Sequence, residues 1–353
     1  MIQTTPIPKY TDVHPGFRLN GFNLDRDDLC RIAYSFIKEG EPYEKWVGMF
    51  LLDWFDKNET VEIQTSGSTG KPKIVSVSKQ AMVNSALATG SFFELSPGNR
   101  VLHCLPAKYI AGKMMFVRSF ILGLDMDFVE PDAHPLKNNE QKYDFAAMVP
   151  LQAQNSLPYL RCVKKLILGG VGISKSLEEQ LVELPTEIYE TYGMTETITH
   201  IAAKRVGADA FTALPGVTLS CNDDKCLIIH APHVSAEAIQ TNDVVEIVGD
   251  NQFVFLGRAD NIVNSGGIKL IPELIEGKVS EKKIGSRFIF AGLPDELLGQ
   301  KLVLLAEGEP REIDPSAFGG LDKYERPREI HFIPRFAETG NGKILRSETV
   351  AML

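Results

Sequence analysis

The chain has 353 residues, 44% of them hydrophobic, enough for a sizeable core in two or three domains, or in one large and one small. Its net charge of -9 argues against nucleic acid as a partner but leaves small anionic ligands open, since those need only local positive charge. Five cysteines, Cys30, Cys104, Cys162, Cys221 and Cys226, form no C-x-x-C pair, which argues against a disulfide framework and a zinc site. The N-terminus lacks a basic stretch followed by an apolar run, and no apolar run approaches a membrane span. The expectation is a cytoplasmic globular protein without an integral membrane segment.

The first twenty residues are rich in proline and predict an extended arm. Asn23-Leu24-Asp25 predicts a cap for a helix running to about Lys38, with Leu29, Ile32, Ala33 and Phe36 on one face. A second helix is expected from Tyr43 to Asp56, with Trp46, Val47, Phe50, Leu51 and Trp54 turned inward. Next comes Thr65-Ser66-Gly67-Ser68-Thr69-Gly70-Lys71-Pro72-Lys73. Val61 and Ile63 alternate before it, and Ile74, Val75 and Val77 flank it after, so it reads as a loop joining two strands. Glycines let a backbone approach a ligand, and the hydroxyls and lysines supply donors, a chemistry suited to polyphosphate. The spacing is not that of a Walker loop, and Pro72 stands where that loop has a metal-binding hydroxyl.

Ser78 predicts the cap of a helix through Thr89. Arg100–Leu105 reads as a short strand, and Ala107–Lys113 opens a helix carrying Met114, Met115, Val117 and Phe120, with Arg118 inside the apolar stretch. Further short strands are expected at Met126–Val129, Phe145–Val149, Lys165–Leu168 and Thr186–Tyr189. The last runs into Thr191-Tyr192-Gly193-Met194-Thr195-Glu196-Thr197. Strands alternating with helices predict an α/β fold with a largely parallel sheet, whose ligands bind beyond the carboxyl ends of the strands. From about Gly207 short strands and turns predict a β-rich subdomain, with Cys221 and Cys226 flanking a turn. After the polar break at Gly257–Asn261, a helix around Pro272–Val279 and strands at Arg287–Ala291, Lys301–Ala306 and Glu329–Ile333 are the size of a small domain.

Four of these segments match one family in order and rough spacing: the 65–73 loop, Tyr192–Glu196, Gly257–Val263, and Gly340-Asn341-Gly342-Lys343-Ile344-Leu345-Arg346. Together they resemble the adenylate-forming enzymes, which include acyl- and aryl-CoA synthetases, luciferases and peptide-synthetase adenylation domains. The resemblance spans about Val61 to Arg346, with an N-terminal subdomain shorter than the family usually has. It implies a large domain over 1–258, with mostly parallel sheets and the β-rich subdomain, and a small mobile α+β domain over 259–353. It also implies two half-reactions. A carboxylic acid attacks the α-phosphate of ATP, and a thiol, usually coenzyme A, then displaces AMP.

Carried onto this chain, the resemblance gives each residue an expected role. Thr65, Ser66, Gly67, Ser68, Thr69, Gly70 and Lys71 would hold the outgoing phosphates. Thr195 would touch the α-phosphate, and Glu196 would hold magnesium. Gly169, Gly170 and Val171 would lie along adenine, with Tyr192 and Gly193 in the same nucleotide site. Asp243 and Arg258 would reach the ribose, although Asn242 replaces the glycine usual before that aspartate. Asp260 falls at the hinge, Gly266 and Gly267 beside the pantetheine tunnel, and Lys343 at the catalytic lysine. Lys278, Lys282, Lys283 and Arg287 are either contacts to coenzyme A phosphates or a solvated helix face.

For the acid, Leu105–Gly112 followed by Arg118 resembles the o-succinylbenzoate–CoA ligases of menaquinone synthesis, with Ala107-Lys108-Tyr109 in place of their usual Leu-Phe-His. Such a substrate carries a second carboxylate, which needs a buried cation. Arg118 is the first candidate and Lys113 the second, with Tyr109 and Gly112 in the same pocket. The alternative is that Arg118 pairs with a structural acid. Three functions stay open: an acid–CoA ligase, an enzyme passing the activated acid to a carrier protein or other acceptor, and a nucleotide binder that has lost catalysis.

Overall fold

The computed structural model describes residues 6–65, 73–137, 139–339 and 342–353. Ser66, Gly67, Ser68, Thr69, Gly70, Lys71 and Pro72 lie outside the described residues, as do Gly340 and Asn341. The N-terminal arm is less extended than its prolines suggest. It makes a hairpin of β1 (Arg18–Leu19) and β2 (Phe22–Asn23), turned at Asn20 and Gly21, and β1 joins the main sheet beside a later strand. Helix α1 (Arg26–Glu39) starts at the expected cap, where Asp25 and Asp28 form a reciprocal capping box. Helix α2 (Pro42–Phe55) buries Val47, Phe50, Leu51 and Trp54 as expected, but Trp46 is 40% exposed. Its ring is covered instead by Lys108, whose ammonium lies 5.3 Å from the ring centroid.

The strands expected around the 65–73 loop are present. β3 (Thr60–Thr65) and β4 (Lys73–Ser78) pair antiparallel in full register, from Thr60 opposite Ser78 to Thr65 opposite Lys73. Ser78 caps α3 (Lys79–Phe93), which runs beyond the expected Thr89. Then come β5 (Arg100–His103), α4 (Ile110–Leu122), β6 (Asp125–Phe128), β7 (Tyr143–Met148), α5 (Pro150–Asn155), β8 (Val163–Leu168), α6 (Lys175–Val182) and β9 (Glu187–Gly193). β5 to β9 are parallel neighbours in the order β9-β8-β7-β5-β6. Their residues alternate between two cores. Val101, Phe145, Ala147 and Ile167 pack on α1 to α4, whereas Leu102, Ala146, Leu166 and Leu168 pack on α5 and α6. A strand buried on both faces has to be apolar at successive positions, which is why β5, β7 and β8 read as short apolar runs.

The β-rich region does not form a separate sheet. β10 (His200–Arg205), β11 (Phe211–Ala213), β12 (Thr218–Cys221), β13 (Cys226–His230), β14 (Ile239–Gly249) and β15 (Gln252–Arg258) extend the parallel strands antiparallel into one sheet of thirteen. The join is the β9–β10 pair, and the added strands bury their own cluster around Phe211, Leu227 and Phe253. The expected turn between Cys221 and Cys226 is present.

The remaining residues form a second sheet: β16 (Val263–Ser265), β17 (Ile268–Leu270), α7 (Pro272–Lys278), α8 (Glu281–Ile284), β18 (Phe288–Asp295), β19 (Gly299–Glu307), β20 (Glu329–Ile333) and α9 (Arg346–Val350). Leu302 and Leu304 face one core of this unit, Val303 and Leu305 the other. Among the described residues no helix is long and apolar enough to cross a membrane.

His103 ends β5 fully buried between the rings of Phe116 and Phe128. Its Nδ1 accepts from the Leu105 N–H at 3.3 Å, and its Nε2 has no partner. Burial pulls its pKa down to about 3. The unfolded chain therefore takes up a proton, near pH 6.5, that the folded one refuses. This contribution is complete above pH 6.5 and is lost as pH falls toward 3, by up to about 4 kcal/mol. Denaturation midpoints across that window will show the loss, and His103→Phe will flatten it by about one proton. An unchanged slope would refute the assignment.

Candidate functional site

The chain leaves β5 to form β6 on one side and returns to form β7 on the other. This reversal of strand order opens a crevice at the carboxyl ends of β5 and β7, the usual ligand position in such sheets. The loops after β5, β8 and β9 start from that edge. Gly169 follows β8 so closely on β9 that a Cβ there would lie 2.7 Å from Thr191 Oγ1. Gly170 is exposed and Val171 half-buried beside it.

Four predicted residues meet in one network. The Tyr192 hydroxyl donates to Asp243 Oδ2 at 2.5 Å, and Arg258 Nη1 donates to Asp243 Oδ1 at 3.2 Å. Arg258 Nη2 reaches Asp260 Oδ2 at 2.8 Å. Cross-strand register explains part of this, since Asp243 and Arg258 are direct partners in the β14–β15 ladder. Asp243 is buried, and burial together with its carboxylate holds the Tyr192 phenol well above its ordinary pKa. One guanidinium thus ties the end of the large sheet to the turn at Ala259–Asn261, which leads into the second unit.

After β9 the chain makes a short turn at Thr195–Thr197. Glu196 is exposed, without a partner among the described residues, and Thr195 is half-buried. Gly193 has a packing reason, because a Cβ there would come within 2.6 Å of the His200 Cα on β10. Ile198 then adopts φ 67° and ψ -55°, and the Thr199 N–H donates to the Thr197 carbonyl at 2.7 Å. That is the strained form of the γ-turn, which costs a β-branched residue on the order of 1–3 kcal/mol. Burying the Ile198 side chain offsets this by about 1.5–3 kcal/mol.

Arg118 is buried inside α4 at 2% exposure. Its Nη2 donates to Thr199 Oγ1 at 3.3 Å and lies 3.5 Å from His200 Nδ1, and its Nη1 meets Met115 Sδ at 3.5 Å. Its Nε has no partner, and among the described residues no carboxylate pairs with it. The structural acid allowed by the sequence is therefore absent there. Burial lowers its pKa to about 10, so it stays charged at neutral pH. The Thr89 hydroxyl donates to the Ser85 carbonyl, so it accepts from His200 Nε2 at 3.3 Å. The His200 Nδ1 lone pair then faces Arg118, and burial and Arg118 keep His200 neutral.

Lys113 points elsewhere, with its ammonium 5.0 Å from the Phe50 ring centroid on α2. Burial lowers its pKa, opposed by Asp53. Tyr109 is partly exposed, and Gly112 is buried, with a would-be Cβ 2.8 Å from the Ala107 nitrogen. Sequence reasoning passed over Thr199 and His200. Their signal was a polar pair opening the otherwise apolar His200-Ile201-Ala202-Ala203.

In the second unit Gly266 and Gly267 make the two-residue turn of the β16–β17 hairpin, with φ 58° and 84°, values glycine adopts without strain. Lys278 pairs with Glu325, and Arg287 pairs with Glu307 and Glu338. Lys283 donates to the Ser316 carbonyl. Lys343 is exposed, and its carbonyl accepts from the Thr339 N–H at 2.9 Å. Arg346 is held by Glu276 at 2.6 Å, by Glu273 and by the Phe290 carbonyl. Among the described residues no three acidic, His or Cys side chains cluster as a metal site. A lone exposed carboxylate such as Glu196 still suits magnesium, which takes one or two carboxylates and completes its shell with phosphate and water.

The family model described as AMP-binding enzyme matches residues 52–227. A solved structure described as an acyl-CoA synthetase (AMP-forming)/AMP-acid ligase II-like protein, from Dyadobacter fermentans, is 34% identical, with a TM-score of 0.62, covering 91% of this chain and 97% of that one. The 2-succinylbenzoate–CoA ligase of Lactococcus lactis is 24% identical over 325 residues, 84% of this chain and 72% of the relative. The O-succinylbenzoate coenzyme A synthetase of Bacillus subtilis, solved in complex with ATP and magnesium ion, has the same fold, with a TM-score of 0.71 at 19% identity over 82% of this chain and 69% of that one. The chain belongs to the adenylate-forming, AMP-binding enzyme family.

Proposed function

We propose that this chain is an AMP-forming acid–CoA ligase whose acid is 2-succinylbenzoate, a substrate of menaquinone biosynthesis. The observation that carries the choice of acid is Arg118, a buried guanidinium with an unpartnered Nε and no carboxylate beside it among the described residues. Such a charge is costly without an anion, and an acid with a second carboxylate supplies one. The names of the 2-succinylbenzoate–CoA ligases among its relatives support the same acid.

The nucleotide would lie across the crevice, with its ribose hydroxyls on Asp243 and Arg258 and its adenine along Gly169–Val171. Ser66–Lys71 would take the outgoing phosphates. Magnesium, when bound at Glu196 with the phosphates, neutralises charge there. Thr195 would donate to the α-phosphate, and Lys343 would hold the attacking carboxylate against it. Residues 259–353 would act as a lid turning at Asp260, so that Lys343 serves the first half-reaction and Gly266–Gly267 the second.

Pyrophosphate exchange over a panel of carboxylic acids, followed by addition of coenzyme A, tests this reading. Exchange is expected with 2-succinylbenzoate, and thioester once coenzyme A is present. Exchange with another acid alone would replace the substrate. Exchange without thioester would point to a different acceptor. Asp243→Asn is expected to raise the KM for ATP at least tenfold, since bonds to a charged group contribute about 1.5–3 kcal/mol. An unchanged KM would remove Asp243 from the ribose site.

A further inference from the structure

The strained turn at Ile198 stands between the two halves of the site. On its N-terminal side lie Thr195 and Glu196, and on its C-terminal side Thr199, which accepts from Arg118. Three residues lock the turn. The Thr197 hydroxyl lies 2.9 Å from the Met194 N and 2.7 Å from the Thr199 carbonyl oxygen. Gly193 allows β10 to come close. The Ile198 side chain, 4% exposed, packs in the core shared with α3 and α4. Where φ is positive and nothing else is asked of a residue, glycine is the economical choice. An isoleucine there gives up backbone ease for a fixed, buried anchor.

We propose that Ile198 is a positioning residue whose buried side chain holds the strained turn and so fixes Thr195 and Glu196 relative to Thr199 and Arg118. The proposal rests on the reading of Glu196 as facing magnesium and phosphate. A segment that carries a metal ligand on an exposed turn has to be rigid to gain affinity from it, because freedom lost on binding subtracts from the interaction. Here the rigidity comes from backbone strain clamped by one aliphatic side chain.

The test measures ATP binding by titration calorimetry, with and without magnesium, for the parent chain, Ile198→Gly, Ile198→Val and Ile201→Ala. Glycine accepts the turn but no longer clamps it, while valine keeps a β-branched anchor. Ile201, buried on β10, serves as a control for general loss of stability. In Ile198→Gly the gain in ATP affinity due to magnesium is expected to fall by about fivefold or more, with metal-free affinity within about twofold of the parent. Ile198→Val should restore the gain, and Ile201→Ala should keep it while lowering Tm. A magnesium-dependent gain that survives in Ile198→Gly, or that is lost equally in Ile201→Ala, overturns the proposal and leaves the proposed function standing. A parent chain that binds no ATP overturns both.

Discussion

Replacing Lys343 by alanine will lower acid-dependent pyrophosphate exchange about a thousandfold, the scale of removing a preorganised charge from a transition state. Conversion of a supplied acyl-adenylate to thioester will stay within a few fold of the parent. The asymmetry follows from where the residue stands. Lys343 is exposed and makes no side-chain contact among the described residues, so the fold gains nothing from its amine. Two other cations of this unit, Lys278 and Arg346, are committed to Glu325 and to Glu273 and Glu276. The described residues on either side of Lys343 are well anchored. The Thr339 N–H donates to the Lys343 carbonyl, Glu338 bridges Ile344, and Arg346, the first residue of α9, is tied to Glu276. A lysine presented on a firm base with an uncommitted ammonium is arranged for a ligand. Stability in Lys343→Ala should therefore change by less than about 0.5 kcal/mol, as for surface positions without a special role. Equal loss of both half-reactions would refute the division of labour and return Lys343 to a general role.

Much of the architecture was legible because local rules and tertiary packing agree. The cap at Asp25, the cap at Ser78 and the alternation around the 65–73 loop each specify a boundary from a few adjacent residues. The double-sided burial of β5, β7 and β8 shows in sequence as short apolar runs. The misread parts depend on distant partners. Trp46 lies at helical spacing with Phe50 and Trp54, but a lysine from the loop after β5 covers its outer face. The β-rich region itself was legible from its dense turns, but its continuity with the main sheet was not. Its fusion to the main sheet depends on the β9–β10 pairing, which runs through the polar stretch Glu190-Thr191-Tyr192. In the site, Tyr192, Asp243, Arg258 and Asp260 were each predicted. Their network was not, because it joins Tyr192 on β9 to Asp243 on β14, 51 residues further along the chain. Thr199 and His200 were missed for the same reason, since only the packing of β10 on α4 brings them to Arg118.

Arg118→Met will raise the KM for 2-succinylbenzoate at least about thirtyfold, leave the KM for ATP within twofold, and raise Tm. Two effects with opposite signs are joined in this side chain. For the folded chain alone Arg118 is a liability. It is charged, 2% exposed, satisfied by a hydroxyl, a histidine lone pair and a thioether, and left with an unpartnered Nε. Replacing buried charge with an apolar side chain of similar volume is often stabilising by about 1–4 kcal/mol. For the bound state the same guanidinium is the partner of a buried carboxylate. Removing one member of such a pair costs about 2–5 kcal/mol, which corresponds to roughly thirtyfold to several thousandfold in affinity. Methionine separates the two effects better than alanine, because alanine leaves a cavity and destabilises through lost packing. Monocarboxylic aryl acids supply the second arm of the test. They have no carboxylate for Arg118, so any weak exchange they support should be unchanged or improved in Arg118→Met. A variant with raised Tm and an unchanged KM for 2-succinylbenzoate would make Arg118 a buried core charge and nothing more. A variant with lowered Tm would mean that the cluster of Arg118, Thr199 and His200 is held together for the fold and not for the acid.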